Sequence, residues 1–501
     1  MKLTLKRIGI DAYRENIAFL DHDELKKFSV GLHPMDRVEV SAKDRKVLAV
    51  LNVAEGTTVP SGSIGLSDSA FAKLGVESGE TVDVRPADPP KSLEQLRREM
   101  SGAHLLSQDF VNIVDDIVEG RYSTVELTAF VVAATMNPLN DDEVYWLTSA
   151  MLDRGEQINF NGSIIADKHS IGGVPGNRTT PIVVSIAAAS GLIIPNTSSR
   201  SVTSPSGTAD TVETLMNVEL PVKRIKELAA SEKGCLVWGG ALNLAPADDL
   251  IIQVEHPLNI DSESFMIASI LAKKKAAGAT HVLLEVPTGS DSKAETAERA
   301  IGLEQRFRQI GARLGLNIQV EITDGSQPIG NGVGPVLEAK DVLKVLRNEP
   351  DAPTDLKERS LYLSGQLLEF TGQVPRGRGR NRAENLLQSG EAYEKFERIR
   401  NLQGRKELTP LGTHVKEIYA RRSGRVNAVR NRIIARTAKL AGAPRNLGAG
   451  IYLMKHVGDN VDEGELLLRI HSESEEALLF AFRYWEEHAQ GIEIVYHTLN
   501  L

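Results

Sequence analysis

The feature that most constrains the fold of this chain is the alternation of short apolar runs with longer amphipathic segments after residue 158. The apolar runs have the length of buried strands and lie at 164–166, 192–194, 282–286 and 318–322. The segments 264–277 and 294–314 between them have the periodicity of amphipathic helices. Because strands that alternate with helices are typical of a largely parallel sheet, we expect a central α/β domain over residues 161–410.

Three further regions complete the predicted organisation of the 501-residue chain, which is too long for one ordinary core. Residues 1–86 alternate apolar and polar positions in short runs, which predicts a β-rich N-terminal domain. Residues 92–160 predict a helical domain, which also receives helices near 246–276, and residues 411–501 predict a C-terminal α/β module. The predicted fold class is α/β multidomain: a small β-rich N-terminal domain, a helical domain, a large mixed or parallel α/β domain and a C-terminal α/β module.

The composition excludes several classes of function. The formal net charge of −9 gives no global electrostatic reason to expect a nucleic-acid or membrane partner. The chain has no apolar stretch of the ~20 residues that a membrane-spanning helix needs. The N-terminal residues lack the apolar region of a secretory signal, and the one cysteine, Cys235, lies in an apolar run typical of a buried, inert thiol. These observations favour a cytoplasmic protein whose partners are small molecules.

The segment 371–390 interrupts the helical periodicity and contains Arg376, Arg378, Arg380 and Arg382. Proteins that bind single-stranded nucleic acid combine such cations with aromatic side chains, and none interleaves here. We therefore interpret this segment as a mobile, solvated loop.

A glycine-rich loop at 167–180 follows the first apolar run of the central domain and precedes a helix. Such a loop presents backbone N–H groups and the positive end of the helix dipole to an anion. The candidate anion-binding residues of this loop are Lys168, His169, Ser170, Gly172, Gly173, Arg178, Thr179 and Thr180. The loop matches neither a P-loop nor a dinucleotide-binding motif.

A second loop, at 195–210, follows the next apolar run and is rich in serine and threonine. Its candidate residues are Ser198, Ser199, Arg200, Ser201, Val202, Thr203, Ser204 and Thr208. Because ligands bind at the carboxyl edge of open α/β sheets, we expect the two loops to form one donor-rich site.

These motifs resemble those of the thymidine and pyrimidine-nucleoside phosphorylases. The matching segments are Asp-Lys-His-Ser-x-Gly-Gly-Val in the first loop, the second loop, 267–274, 328–334 and 457–461, in this order. The resemblance covers residues ~92 to 501. It implies phosphorolysis of an N-glycosidic bond, a cleft between a helical and an α/β domain, and a homodimer or larger homo-oligomer.

Three departures from this pattern are similar to the archaeal AMP phosphorylases. Val254 stands where the family has an arginine that grips the pyrimidine ring, fifteen residues before Ser269. The first loop carries one extra residue, and the β-rich region 1–86 is absent from thymidine phosphorylases. The resemblance therefore implies conversion of AMP and phosphate to adenine and ribose 1,5-bisphosphate, with CMP and UMP as further possible substrates.

The resemblance also implies roles for individual residues. The positions that match those holding inorganic phosphate in the family are Lys168, Ser170, Thr180, Ser198 and Thr208. A nucleotide substrate carries a second phosphate at its 5′ position. The candidates for holding it are Arg178, Arg200 and residues 201–204.

Asp261 is the candidate general acid that protonates the departing base. It stands at the start of the helix that carries Ser269 and Lys273. Its reference pKa of about 3.9 would have to be raised by burial for it to act near neutrality. The alternative is that Asp261 is only a helix N-cap.

Ser269 and Lys293 are candidates for contacts with the base or sugar, although Lys293 could also be a solvated lysine at a helix start. His169 is a candidate for a contact with the sugar or for anchoring its loop. No cluster of His, Cys, Asp and Glu has the spacing of metal ligands, so we expect no metal and no cofactor, with inorganic phosphate as a substrate.

Three other functions fit parts of this pattern. A pyrimidine or thymidine nucleoside phosphorylase would use the same loops. A phosphoribosyltransferase of the anthranilate type shares the two-domain architecture but binds pyrophosphate through Mg²⁺ held by acidic residues, whereas the first loop offers Lys and Arg. A nucleotide-sensing assembly protein would use the β-rich domain for interactions without catalysis.

Overall fold

The computed structural model describes residues 1–12, 15–28, 31–160, 164–201, 204–258, 260–488 and 491–496. The chain forms two compact units, Met1–Asn137 and Pro138–Leu501.

The first unit begins with a closed barrel of six strands. The strands are β1 (Lys2–Arg7), β2 (Ile17–Asp21), β3 (Arg37–Ala42), β4 (Arg45–Ala54), β5 (Ser63–Leu66) and β6 (Thr81–Pro86), with the short helices α1 (His22–Leu25) and α2 (Asp68–Leu74). The barrel order is β1-β5-β2-β4-β3-β6. Alternate apolar residues such as Leu3 and Leu5 fill its interior, which follows from the period of two in a strand. The predicted β-rich N-terminal domain is confirmed.

Three helices complete the first unit: α3 (Leu93–Met100), α4 (Ser107–Val118) and α5 (Thr124–Met136). Asp116 of α4 accepts hydrogen bonds from both the backbone N and the Oγ of Ser92, each at 2.7 Å. This buried carboxylate therefore fixes the start of α3 against α4.

The second unit contains a parallel α/β region that follows the helix α6 (Asp141–Asp153). Asn140 caps α6, because its side chain accepts hydrogen bonds from the backbone N–H groups of Asp142 and Glu143. The strands of this region are β7 (Ala166–Ser170), β8 (Ile194–Ser198), β9 (Gly234–Trp238), β10 (His281–Thr288) and β11 (Asn317–Asp324). Its helices are α7 (Thr179–Ala189), α8 (Thr208–Glu213), α9 (Val222–Ser231), α10 (Pro246–Leu258), α11 (Glu263–Ala276) and α12 (Ala297–Arg313), with a 3-10 turn at Gly239–Leu242.

The strands of this region pair in parallel, as the alternation in the sequence predicts. The order β11-β10-β7 forms one sheet and β8-β9 a second, and a parallel bridge between Ile165 and Ile193 connects them. Helix α7 is apolar almost throughout, and its residues Ile182 to Ala188 are buried in the main core. The carboxyl ends of β7 and β8 therefore lie side by side.

The rest of the second unit is helical and then antiparallel. Its elements are β12 (Gly332–Val333), α13 (Pro335–Leu346), α14 (Thr354–Phe370), α15 (Gly379–Gln388), α16 (Glu391–Leu402), β13 (His414–Tyr419), β14 (Gly424–Val429), α17 (Asn431–Leu440), β15 (Gly450–Leu453), β16 (Asn460–Val461), β17 (Leu466–Ser472), α18 (Glu475–Glu487) and β18 (Ile492–Tyr496). The orders β12-β15-β17-β13 and β16-β14-β18 form two antiparallel sheets. The predicted C-terminal α/β module is confirmed.

The interpretation of residues 371–390 as a solvated loop is wrong for its second half. Residues 379–388 form α15, in which Ala383, Leu386 and Leu387 are buried. A Cβ on Gly379 would lie 2.1 Å from the carbonyl oxygen of Gly365, so the two glycines allow α14 and α15 to touch through their backbones. Because arginines dominate this segment, the sequence did not reveal that Ala383, Leu386 and Leu387 form one buried face.

Two further observations bear on the exclusions made from the sequence. Within the described ranges, none of the helices combines the length and hydropathy needed to cross a membrane. Cys235 is buried, and burial raises the pKa of its thiol, so it is an inert core residue as expected.

Candidate active site

A cleft with a volume of about 260 Å³ lies in the second unit, beside the carboxyl ends of β7 and β8. Most of the candidate residues line it. They are Lys168, His169, Ser170, Gly172, Gly173, Arg178, Thr180, Ser198, Ser199, Arg200, Ser204, Thr208, Asp261, Ser269, Lys273 and Lys293. The parallel pairing of the sheet thus brings both predicted loops to one place.

Four candidates are not among the residues that line the cleft. Thr179 is the first residue of α7, and its Oγ1 accepts from Lys168 Nζ at 2.8 Å. Ser201 donates its backbone N–H to Asp210 at 2.7 Å. Val202 and Thr203 lie outside the described residues.

Glycine allows the first loop to approach the residues after β10 closely. Gly173 has a φ of +93°, and a Cβ there would lie 2.8 Å from the backbone N of Lys293. A larger residue would therefore push the two segments apart. This contact brings Lys293 to the cleft, although it is 120 residues away in the sequence.

Lys168 is completely buried and its ammonium group is paired. Its Nζ lies 2.8 Å from Glu285 Oε2 and 2.8 Å from Thr179 Oγ1, with both charged side chains 0% exposed. Burial alone would raise the pKa of Glu285, but the charges of Lys168 and Arg359 hold it below its usual value. An ammonium has three N–H donors, and these two contacts use two of them.

Lys274 forms a second buried pair beside the first. Its Nζ donates to Asp167 Oδ2 at 2.7 Å and to the carbonyl of Thr197 at 2.6 Å. Asn196 also donates to Asp167. These bonds tie β7 and β8 to α11.

Arg178, a candidate for the 5′-phosphate, points its donors into the protein. Its guanidinium group donates to Glu338, to the carbonyl of Ser206 and to Thr211 Oγ1, the last at 3.1 Å. A weaker contact of 3.3 Å reaches Thr208 Oγ1. The structure therefore places Arg178 as a link between the two loops and α13.

Arg200, the other candidate for the 5′-phosphate, is also paired. It contacts Asp210 at 3.3 Å, Glu213 at 2.5 Å and Glu219 at 3.2 Å, and it lies over the ring of Trp238 at 4.4 Å. The hydrogen bond to Glu213 is the largest contribution that raises the pKa of Arg200. This arginine is held by carboxylates on and just after α8.

Asp261 lacks the burial that the general-acid hypothesis requires. Its side chain is 52% exposed and accepts a hydrogen bond from Lys293 Nζ at 2.7 Å. The N-cap of α11 is Ser262, so Asp261 does not cap the helix either. The structure instead pairs two of the candidate residues with each other.

Ser269 and Lys273 share an acidic partner that sequence reasoning missed. Asp248 Oδ2 accepts from Ser269 Oγ at 2.8 Å and lies 2.6 Å from Lys273 Nζ. Asp249 also pairs with Lys273, at 3.0 Å. No local pattern in the sequence identifies this contact, because Asp248 lies one helix earlier.

Two side chains of the cleft have groups that suit a substrate. The Oγ of Ser170 is buried and has no hydrogen-bond partner within the described part of the chain. Burial lowers the pKa of His169 well below its usual value, and four nearby lysines lower it further, so the imidazole is neutral at neutral pH. His169 therefore suits a polar contact better than it suits proton transfer.

No group of three or more His, Cys, Asp or Glu side chains in the described ranges is arranged to hold a metal ion.

Three regions of the chain match known families. Residues 93–155 match the glycosyl transferase family helical bundle domain, and residues 162–393 match the glycosyl transferase family a/b domain. Residues 425–484 match the pyrimidine nucleoside phosphorylase C-terminal domain. A protein of Albidiferax ferrireducens named "Putative thymidine phosphorylase" is 46% identical over 485 residues, which cover 96% of this chain and 93% of that protein.

The chain belongs to the pyrimidine nucleoside phosphorylase family.

Other members of the family are similar over nearly the whole chain. A protein of the same name from Methylococcus capsulatus is 45% identical, covering 94% of this chain and 92% of that protein. One from Legionella pneumophila (strain Paris) is 43% identical, covering 96% of this chain and 93% of that protein. These relatives are bacterial and give no support to the resemblance to archaeal AMP phosphorylases.

A solved structure confirms the fold of part of this family member. Anthranilate phosphoribosyltransferase from Thermus thermophilus superposes with a TM-score of 0.51 at 19% identity, covering 62% of this chain and 99% of that chain. At this identity the likeness concerns the fold alone.

Proposed function

We propose that this protein breaks the N-glycosidic bond of a pyrimidine nucleoside by phosphorolysis, giving the free base and a pentose 1-phosphate. One observation carries the choice of a nucleoside over a nucleotide. Each of the six lysines and arginines that line the cleft, among the described residues, already has a carboxylate partner. The cleft therefore has little positive charge left for a second phosphate group.

One inorganic phosphate fits the donors that remain. The first turn of α7 contributes backbone N–H groups beside Thr180, and Ser170 offers an unpaired hydroxyl among the described residues. The third N–H of Lys168 adds a charged donor. Hydroxyls and helix N–H groups bind an anion without a dedicated free cation.

An apolar part of the lining suits the base. It comes from α10 and α11 and consists of Ile252, Phe265, Met266 and Ile270. Apolar lining of this kind excludes water around a planar heterocycle, while a few polar groups orient it. Ser269 and Lys293 line the same cleft and are our candidates for those polar contacts.

A nucleoside monophosphate such as AMP is the second candidate substrate. Val254 is 6% exposed and is not among the residues that line the cleft, so the arginine that grips pyrimidines in the family has no counterpart at this position. The residues Ser199 and Ser204 of the second loop could then contact a 5′-phosphate. Ribose 1,5-bisphosphate would be the sugar product.

The test is a panel of substrates with and without phosphate. Thymidine, uridine, AMP, CMP and UMP are incubated with the enzyme, and the released base and sugar phosphate are identified. Our proposal predicts phosphate-dependent release from thymidine or uridine, and exclusive release from the monophosphates would establish the second candidate. Anthranilate with phosphoribosyl pyrophosphate and Mg²⁺ tests the phosphoribosyltransferase, and no turnover of any substrate would favour the nucleotide-sensing assembly protein.

The homodimer or larger homo-oligomer remains a prediction. A mass measurement in solution tests it, and a monomer at micromolar concentration would contradict it.

A further inference from the structure

Two carboxylates line the cleft among the described residues, and they differ in their partners. Asp261 is bound to Lys293 at 2.7 Å. Glu255, on α10, also lines the cleft, and none of the described residues donates a hydrogen bond to its carboxylate or forms an ion pair with it. Glu255 is therefore the acidic side chain of the cleft that is free to act on a substrate.

The surroundings of Glu255 favour its protonated form. Burial raises the pKa of Glu255 to about 7, with smaller contributions from Asp248 and Asp261, while Lys293 opposes the shift. Glu255 also lies in the last turn of α10, where the negative end of the helix dipole disfavours a carboxylate. A carboxylic acid that is still protonated near neutrality can donate a proton at the pH of the reaction.

The neighbouring helices place no further free charge near this group among the residues that the structure describes. Lys273 of α11 is paired with Asp248 and Asp249. On α6, Asp141 and Asp142 are paired with Arg306 and Arg313 of α12. The charged groups that act on Glu255 are thus Asp248 on its own helix, Asp261 before α11 and Lys293 after β10.

We propose that Glu255 is the general acid that donates a proton to the departing base. This inference rests on the proposed phosphorolysis. In that step a phosphate oxygen forms a bond to C1′, the bond from C1′ to the base nitrogen breaks, and its electron pair stays with the base. The base takes the proton of the Glu255 carboxyl group, and the resulting carboxylate regains a proton from solvent. The negative charge of Asp261 then helps to keep Glu255 protonated, and its ion pair holds Lys293 in place.

The experiment compares two substrates with the wild-type enzyme and Glu255→Gln. Thymidine has a poor leaving group that needs a proton, whereas 5-nitro-2′-deoxyuridine carries a far more acidic base that leaves without one. General acid catalysis contributes roughly 10²–10⁴-fold, so kcat for thymidine should fall by at least about 10²-fold in the variant. The fall for 5-nitro-2′-deoxyuridine should be much smaller.

Glu304→Gln is the matched control, because Glu304 forms an i,i+4 pair with Arg308 on α12 and is not among the residues of the cleft. It should keep full activity on both substrates. Equal losses on the two substrates in Glu255→Gln, or no loss on either, would overturn the role of Glu255. A wild-type enzyme with no phosphorolytic activity would instead overturn the proposed function.

The pH profile of the wild-type enzyme gives a second test that does not depend on the folding of a variant. The kcat/KM for thymidine should fall as pH rises above about 7, because the acid loses its proton, and 5-nitro-2′-deoxyuridine should lack this fall. A profile that is the same for both substrates would contradict the proposal.

Discussion

Two ion pairs of the cleft have the same length but different surroundings. The floor pair, Lys274–Asp167, and the rim pair, Lys293–Asp261, both have N–O distances of 2.7 Å. The side chains of the floor pair are 2% and 1% exposed, whereas those of the rim pair are 25% and 52% exposed. Distance alone therefore does not define a role: the buried pair holds β7 and β8 against α11, and the exposed pair is partly solvated.

The largest effect is expected from Lys274→Met, which leaves the carboxylate of Asp167 buried without its cation. Removing one partner of a buried pair costs about 3–5 kcal/mol in the free energy of unfolding. Chemical denaturation measures this loss. Lys275→Met on the same helix is the control, because Lys275 makes only a 3.5 Å contact with the carbonyl of Gly315. Equal stability of the two variants would show that the buried pair contributes no more to the free energy of unfolding than Lys275 does.

A smaller loss of stability is expected from Arg178→Lys. The ammonium of lysine cannot reproduce the planar guanidinium group, which donates to Glu338 and to the carbonyl of Ser206 at the same time. Hydrogen bonds to charged groups contribute about 1.5–3 kcal/mol each to stability, so we expect the free energy of unfolding to fall by about 2 kcal/mol. Because the bonds hold the segment 206–208, the KM for phosphate should rise more than the KM for the nucleoside. Steady-state kinetics with each substrate varied in turn tests this. A rise confined to the KM for the nucleoside would show that Arg178 acts on the sugar side.

Ser170→Ala removes the buried hydroxyl that has no partner among the described residues. The loss of one hydrogen bond to phosphate corresponds to about 1 kcal/mol, which raises the KM for phosphate roughly fivefold. The stability should not fall, because no protein bond is lost. Ser190→Ala, at the C-cap of α7, is the matched control and should leave the KM for phosphate unchanged.

The smallest effect on stability is expected from Lys293→Met at the rim. Exposed ion pairs contribute about 0–1 kcal/mol, so the unfolding free energy should change by less than about 1 kcal/mol despite the 2.7 Å distance. Denaturation of this variant beside Lys274→Met makes the comparison direct. A loss as large as that of Lys274→Met would show that burial does not separate the two pairs.

The sequence predicted the elements of the site better than the partners of its residues. The strand–loop–helix pattern correctly brought the two loops to one edge of a parallel sheet, because that pattern depends on local periodicity. It placed the strand ends too early: β7 continues to Ser170 and β8 to Ser198. Polar residues such as Asp167 continue the strands because they are paired with residues more than 100 positions away.

The carboxylate partners of the two candidate arginines were not predicted either. Arg178 and Arg200 look like free cations in the sequence, but Glu338 and Glu213 meet them in the fold. Glu255 was missed for the converse reason: a glutamate in an amphipathic helix looks solvated until the fold shows that it lines a cleft. Neither arginine pairing, across 160 residues for Arg178 and 13 residues for Arg200, can be inferred from one sequence.

We infer that the paired cations leave room for one anion beside a neutral nucleoside. The most direct measurement is the ratio of kcat/KM for thymidine to kcat/KM for thymidine 5′-monophosphate at a fixed phosphate concentration. The ratio is expected to be well above one. A ratio below one would contradict it, because the 5′-phosphate would then have found a cation that the ion pairs are taken to neutralise.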